Sequence, residues 1–305
     1  MTMTITHKIN RSLRLAARGF TRACLASSLL ATPLLSQAQA PYATAELAGD
    51  AFIKAVVADD EKQMAVVLGK AWRELIPKGS VSSADAKSFI DKAKESRTVA
   101  AKDGHAELAV GKDAWVLPIP IVQGKDGQWR FDPQAGRQKI LAYRIGANEL
   151  AAMQATLAYV DAQRDYALAD RNGDGMLEYA QKLASSKGKR DGLIWSQALG
   201  DESPLGEDYL TPSADGGYHG YHFKILTSQG PKANGGARSY LIGKRMVTGF
   251  ALLAWPVKYG KTGVMSFMVN QEGVVYERDL GQQTPLTAKR TSVFNPEDGW
   301  AKAKP

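Results

Sequence analysis

Cys24 is the only cysteine in the 305-residue chain, so everything after it must fold without a disulfide or a thiolate metal cluster. The fold has to be held by buried apolar surface, which a chain of this length can supply as one or two ordinary domains. The same fact removes a cysteine nucleophile from the chemistries open to the folded part.

Cys24 also lies in a segment unlike the rest. Lys8, Arg11, Arg14, Arg18 and Arg22 make a basic stretch with no acidic residue among them, and an apolar run from Ala23 to Leu35 follows. After it comes Ser36-Gln37-Ala38-Gln39-Ala40, with small residues spaced as a signal peptidase accepts them. The order predicts a secretory signal peptide over residues 1–38, cut after Ala38; a cut after Ala40 would leave Pro41 at the new N-terminus. The run is too short for a membrane span, which needs about 20 apolar residues. Arg22 occupies a position where a lipoprotein signal wants a small uncharged residue, so Cys24 is not read as a lipidation site. The expected destination is the periplasm or the extracellular space, with no transmembrane segment in the mature chain. Five of the 39 basic residues lie in the signal, which leaves the remainder near balance with 31 acidic ones. That balance excludes a nucleic-acid binder, and the run Lys187–Arg190 reads as a solvated loop.

Along the mature chain the hydrophobic period changes twice. Apolar pairs at Phe52-Ile53 and Val56-Val57 predict a helix, and further helices are expected over Asp60–Leu68 and after an N-cap at Ser83. Strands follow over 106–110, 114–122 and 128–131, with Gly124–Gly127 as a turn. Pro118 and Pro120 cannot donate to a ladder, so their strand should be an edge or carry a bulge. A connecting helix, Arg137–Ile145, leads to Asn148 as the cap of a longer one. Its Leu150, Met153, Leu157 and Val160 recur at spacings of three and four, which predicts the core-facing stripe. A loop at 170–178 and a short helix through Leu183 precede a β-rich stretch over 220–278. Asn270–Gly273 makes a hairpin there, and a polar tail follows in which Phe294 and Trp300 fold back. The expected class is α+β, in two domains over 45–145 and 146–281, with the tail at 282–305.

Several runs carry a family resemblance: Trp129–Asp132 with Gly136-Arg137, Ala162–Tyr166, Gly188–Gly192, Tyr218–Tyr221, and the series from Gly249 through Trp255-Pro256 and Tyr259-Gly260 to Met265. Together they resemble the bacterial family designated domain of unknown function 2950, over nearly the whole mature chain. The resemblance implies export and brings no assigned activity or catalytic residues. In architecture the first half is similar to the NTF2-like fold, with helices in the hollow of a curved sheet. The second half resembles the soluble head of type IV pilins and pseudopilins, without the apolar half-helix that assembles filaments.

The sharpest local motif is Asp170-Arg171-Asn172-Gly173-Asp174-Gly175-Met176-Leu177-Glu178. Oxygen donors at positions 1, 3 and 5, glycine at 6 and a carbonyl from Met176 at 7 match the front of an EF-hand calcium loop. Glu178 falls at position 9, and Gln181 stands where a bidentate glutamate belongs at 12. Asp170, Asn172, Asp174, Met176 and Glu178 are therefore the candidate metal ligands and calcium the candidate cofactor. The alternative is a loop closed by its own Asx-turns. Leu177 is expected to face the core. His219 and His222 are read on one strand, where residues three apart point to opposite faces and cannot share a metal. Gly260-Lys261-Thr262 resembles the end of a phosphate-binding loop, but Trp255 stands where that loop needs glycine.

Two functions from different classes remain. One is a non-catalytic binding or assembly module of the cell envelope, its partner an envelope protein or a glycan, with a calcium-stabilised loop. The other is a small hydrolase or isomerase using a pocket in the first domain's hollow, with an Asp or His as general base.

Overall fold

The computed structural model describes residues 39–210, 212–213, 216–297 and 299–304. The segment read as a signal peptide lies outside the described residues. Four helices open the chain: α1 (Ala45–Val57), α2 (Glu61–Leu68), α3 (Trp72–Leu75) and α4 (Ser83–Glu95). Each of the longer ones starts on a side chain that satisfies otherwise orphaned amides. Asp60 accepts from Lys62 and Gln63 at the head of α2. The cap of α4 is Ser82 rather than Ser83, because Ser82 and Asp85 bond each other's backbone amides as a capping box.

The first sheet comprises β1 (Arg97–Lys102), β2 (His105–Val110), β3 (Trp115–Val116), β4 (Ile121–Gln123) and β5 (Trp129–Phe131), paired antiparallel in the order β1-β2-β4-β5 with β3 against β2. Pro118 and Pro120 split the expected strand over 114–122 into β3 and β4. Strand β2 alternates in the expected way: Ala106, Leu108 and Val110 are buried, while His105 and Glu107 face solvent. Gly49 lets α1 approach this face, since a Cβ there would stand 3.2 Å from Val99 Cγ2. Phe52 packs on Phe89 and Phe131 at centroid distances of 5.9 and 5.4 Å, and Ile119 and Ile121 are buried beside them. Side chains thus fill the space between α1 and the sheet, where the enzyme reading would put its pocket. Full burial of each such side chain contributes roughly 1.5–3 kcal/mol.

Next comes α5, Pro133–Tyr166, a single helix of 34 residues and so about 50 Å long. Asp132 caps it, and Pro133 sits in its first turn, where no amide partner is lost. It runs unbroken through the predicted gap at 146–148. Asn148 is not a cap; its amide donates to the Thr262 carbonyl at 2.9 Å. The buried face matches the expected one in part: Val160 is buried and Met153 half-buried, whereas Leu150 and Leu157 are 45% and 40% exposed. Ala152, Ala155, Thr156, Tyr159, Ala162, Gln163 and Tyr166 complete the buried side, where the small residues bring the helix axis close to the sheet beneath.

That sheet has the order β14-β13-β12-β11-β6, all antiparallel: β6 (Tyr221–Leu226), β11 (Ala251–Pro256), β12 (Met265–Asn270), β13 (Tyr276–Asp279) and β14 (Ala301–Lys302). Two short ribbons, β7 (Ser228–Gln229) with β8 (Arg238–Ser239) and β9 (Leu241–Ile242) with β10 (Arg245–Met246), lie between β6 and β11 in the chain. The tail does more than fold back two aromatics: it adds α6 (Thr284–Arg290), which packs on β11, and the edge strand β14. Phe294 is buried, and its backbone bonds both Ser228 and Gly230. Residues 39–305 form one compact unit. Among the described residues no helix is long and apolar enough to cross a membrane.

The expected short helix through Leu183 does not form. Tyr179 instead bridges Met246, and Ala184 bridges Ile194. The chain is held extended by Gln163, which is fully buried: its carbonyl accepts from Ala180 N at 2.8 Å, and its amide donates to Ala180 O at 2.7 Å and to the Tyr159 hydroxyl at 2.9 Å. Replacing Gln163 with Leu keeps the volume but strands both backbone groups of Ala180. The expected loss is about 3 kcal/mol in a urea unfolding series, against less than 0.5 kcal/mol for a control such as Gln154→Ala at an exposed position of the same helix.

Candidate functional site

Two places gather polar side chains beyond the needs of the fold. The first is the predicted loop, which follows directly on α5. Gly173 and Gly175 adopt φ of 75° and 81°, and the chain wraps around the Asp170 carboxylate. That group accepts from Gly173 N at 2.7 Å, Asp174 N at 3.3 Å and Gly175 N at 2.7 Å. These amides, Gly175 first, hold its pKa below the usual carboxylate range. Asn172 donates its amide to Glu178 at 2.8 Å and to Asp174 at 3.2 Å. Arg245, from β10, donates to the Asp174 carboxylate at 2.5 Å and depresses its pKa. Burial, then the charges of Asp174 and Asp170, push the Glu178 carboxyl up.

Asp170, Asn172, Asp174 and Glu178 are thus brought together, but on hydrogen-bond donors. Among the described residues no three His, Cys, Asp or Glu side chains converge as a metal would require. The front of the loop matches a calcium loop in donor chemistry, whereas the rear does not: Gln181 donates to the Lys244 carbonyl at 2.7 Å and the chain leaves the loop extended. Met176 and Leu177 are 49% and 56% exposed, so Leu177 does not face the core.

The second place was not anticipated. A cleft of about 340 Å³ lies between α5 and two later segments, lined by Ala151, Gln154, Ala155, Ala158, Leu205, Gly206, Asp208, Tyr209, Tyr218 and His219. Its floor is the alanine face of α5, next to the buried stripe. One wall is the 3-10 turn at Glu207–Leu210, which carries Asp208 and Tyr209. The other is a tight turn entering β6. Tyr218 and Tyr221 exchange both backbone hydrogen bonds at 3.0 Å, and the residues between them, His219 and Gly220, have φ of 48° and 74°. Two central residues at positive φ are what a type I′ hairpin turn demands, and histidine tolerates that region better than most side chains. The turn cannot retreat: a Cβ on Gly220 would stand 2.8 Å from Thr262 Cβ, and one on Gly217 would stand 2.2 Å from Tyr221 O.

Within the cleft Tyr209 and Tyr218 stack at 4.9 Å with planes 15° apart, and His219 meets Tyr218 edge-on at 4.4 Å. Tyr209 is 92% buried by its 8% residual exposure, its hydroxyl has no hydrogen-bond partner among the described residues, and burial pushes its pKa well above the phenol range. Asp208 is exposed and forms no ion pair or hydrogen bond among the described residues. A larger hollow of about 590 Å³ is lined only by residues of α4's outer face, such as Lys87 and Asp91, and is an open surface groove.

His219 and His222 are separated more decisively than strand alternation requires. His219 is in the turn, while His222 is exposed on β6 against Trp255 at 5.4 Å, its pKa lowered by burial and then by Lys289. In the run Lys187–Arg190, Arg190 is structural: it pairs with Asp201 at 2.6 Å and donates to the Leu199 carbonyl. Gly260–Gly263 closes a turn in which Thr262 is buried.

Separate helices and antiparallel sheets make this an α+β protein with a side-chain cleft on its long helix. The sequence profile of the family described as "Protein of unknown function (DUF2950)" matches residues 39–303, and the chain belongs to that family. No curated protein and no solved structure matches it.

The I′ geometry gives a direct test of what His219 is for. Asparagine before glycine is the pair this turn favours, so His219→Asn should leave the melting temperature unchanged or raise it by an amount equal to no more than about 1 kcal/mol. A loss above 2 kcal/mol would mean that the imidazole is there to pack on Tyr218.

Proposed function

We propose that this protein works outside the cytoplasm as a non-catalytic binding module of the cell envelope, holding its ligand in the cleft between α5 and the Tyr218–Tyr221 turn. The observation that carries this reading is the lining itself: a stacked tyrosine pair, an imidazole, an amide and an unpaired carboxylate on a floor of alanines. Such a mixture of apolar walls and a few converging polar groups is the usual make-up of a ligand site.

Export is supported by the basic, apolar and small-residue order of residues 1–40. The family match also begins at Gln39, directly after the preferred cut. Gln39 belongs to the fold, since its amide donates to Val67 O at 2.8 Å and Phe131 O at 2.9 Å; a cut after Ala40 would remove it. The near balance of charge argues against nucleic acid and leaves an envelope protein or glycan as the partner.

One observation favours a second reading. His219 and Asp208 line the same cleft, an imidazole and a carboxylate that could serve as acid and base in a hydrolase or isomerase. Aromatic-resolved NMR of the purified mature chain tests both. The probes are chitotriose, a short neutral peptide and choline, each at millimolar concentration. Saturable shifts confined to 151–158, 205–209 and 218–219, with the ligand recovered intact, support the binding module. Recovery of a converted ligand supports the enzyme, and the absence of any response removes the cleft as a site.

Calcium is proposed as the cation of the 170–178 loop, replacing Arg245 as the counter-charge to Asp174. The gathering of Asp170, Asn172, Asp174 and Glu178 around one turn supports it: burial first, and then the charges of Asp174 and Asp170, push the Glu178 carboxyl up, and a divalent ion would offset the second of these. At free calcium a hundredfold above its Kd the expected stabilisation is about 2.7 kcal/mol, a melting rise of several degrees over the EDTA sample. The rise should vanish in Asp170→Ala. A flat titration to 10 mM would leave the loop as an Asx-turn latch held by Arg245.

A further inference from the structure

We infer that the cleft on α5 recognises an organic ammonium group, an inference that rests on the binding-module reading and names its ligand class. The argument is one of charge complementarity. Among the ten described lining residues Asp208 carries the only carboxylate, and none is a lysine or arginine. Asp208 has no ion pair within the described residues that would neutralise it. An anionic ligand would meet an uncompensated like charge. A neutral polyol can donate hydroxyls to that carboxylate but supplies no counter-charge. A cation supplies that charge.

The rest of the lining suits the body of such a ligand. Ala151, Ala155 and Ala158 present nothing larger than a methyl group along one face of α5, so N-alkyl groups can lie flat against the helix. Leu205 adds an apolar wall. Half-buried Tyr218 brings an aromatic ring, backed by the buried Tyr209 stacked on it, and the negative face of such a ring attracts cations. Gln154 supplies an amide oxygen at the rim. A volume of about 340 Å³ lies at the lower end of the range for small-molecule sites, which suits a compact amine or the end of a lysine side chain.

The tight turn makes the site rigid in advance. His219 and Gly220 are fixed by the paired backbone bonds of Tyr218 and Tyr221, and Tyr218 is stacked before any ligand arrives. Binding therefore need not order the aromatic wall, which lowers its entropic cost.

The experiment is a titration of the full mature chain followed by the Tyr218 and His219 ring resonances. The probes are choline, n-butylammonium, and 3,3-dimethylbutan-1-ol, the uncharged isostere of choline. Saturable shifts with both ammonium probes are expected. Affinity should be at least tenfold weaker for the isostere and in Asp208→Asn, and should fall as salt rises from 20 to 200 mM. Asp208 is exposed, so the substitution tests charge without unfolding the chain; Ala158→Phe, also exposed, should block the cleft and abolish the shifts. A peptide with a blocked N-terminus and one free lysine side chain separates the sources. Binding at least as tight as n-butylammonium assigns a protein lysine, and much weaker binding assigns a free amine. Equal affinity for choline and its isostere, or no effect of Asp208→Asn, overturns the inference. Shifts with chitotriose and none with the ammonium probes overturn it too, while leaving the binding-module reading in place.

Discussion

Everything in this fold depends on one helix serving two cores. At its start α5 packs on α3 and on the link between β3 and β4, where Gly136 is buried so closely against Ile119 that a Cβ would lie 3.1 Å from Ile119 Cγ2. Beyond Ala152 the same helix is the support for β11 and β12. Between these contacts, around 142–147, most of its side chains are exposed. A helix is stiff and its faces are fixed by a period of 3.6 residues. Once Gly136 and Tyr159 are seated, the orientation of every residue between them follows. The alanines of the cleft floor inherit their direction from that constraint, and so does the start of the 170–178 loop.

The strand over 106–110, the helix starting near Asp60 and the turn at Gly124–Gly127 are local, and each was legible because the residues that cause the structure are adjacent in sequence; the cap of α4 was read one residue late, at Ser83 instead of Ser82. The helix α5 shows where local reading fails. Gly146 and Asn148 look like breakers, yet an exposed glycine costs only about 1 kcal/mol in a helix and Asn148 is used from the side, by Thr262. The buried face was read correctly at Val160 and misread at Leu150 and Leu157. These leucines outrank Ala152 and Ala155 on any hydrophobic scale, but at those positions the sheet selects for close approach. The short helix expected through Leu183 gave way to a single buried glutamine seventeen positions upstream, Gln163, whose amide satisfies Ala180 in an extended conformation.

The two sites differ in the same way. The loop at 170–178 is contiguous, and its Asx-turns follow from residue identities alone. What could not be read was Arg245, distant in sequence, which places a positive charge where a metal ion was expected. The cleft is assembled from three segments spanning 151–219, and only the long helix and the second sheet bring them together. One signal for it was present: Tyr218-His219-Gly220-Tyr221 has a histidine–glycine pair between aromatic residues, the pattern of a tight turn. Reading His219 as a strand residue hid it.

The way the tail is sewn in bears on how the chain reaches this state. Phe294 is bonded on both sides to the ribbon after β6, at Ser228 and Gly230, and Asn295 accepts from Lys232, so residues more than sixty positions apart are mutual neighbours. Strand β14 completes the far edge of the sheet only after α6 has crossed β11. Closing such long loops is entropically slow, and none of these contacts can form early in synthesis. The second half of the molecule is therefore built to finish folding late, when its last twenty residues are available.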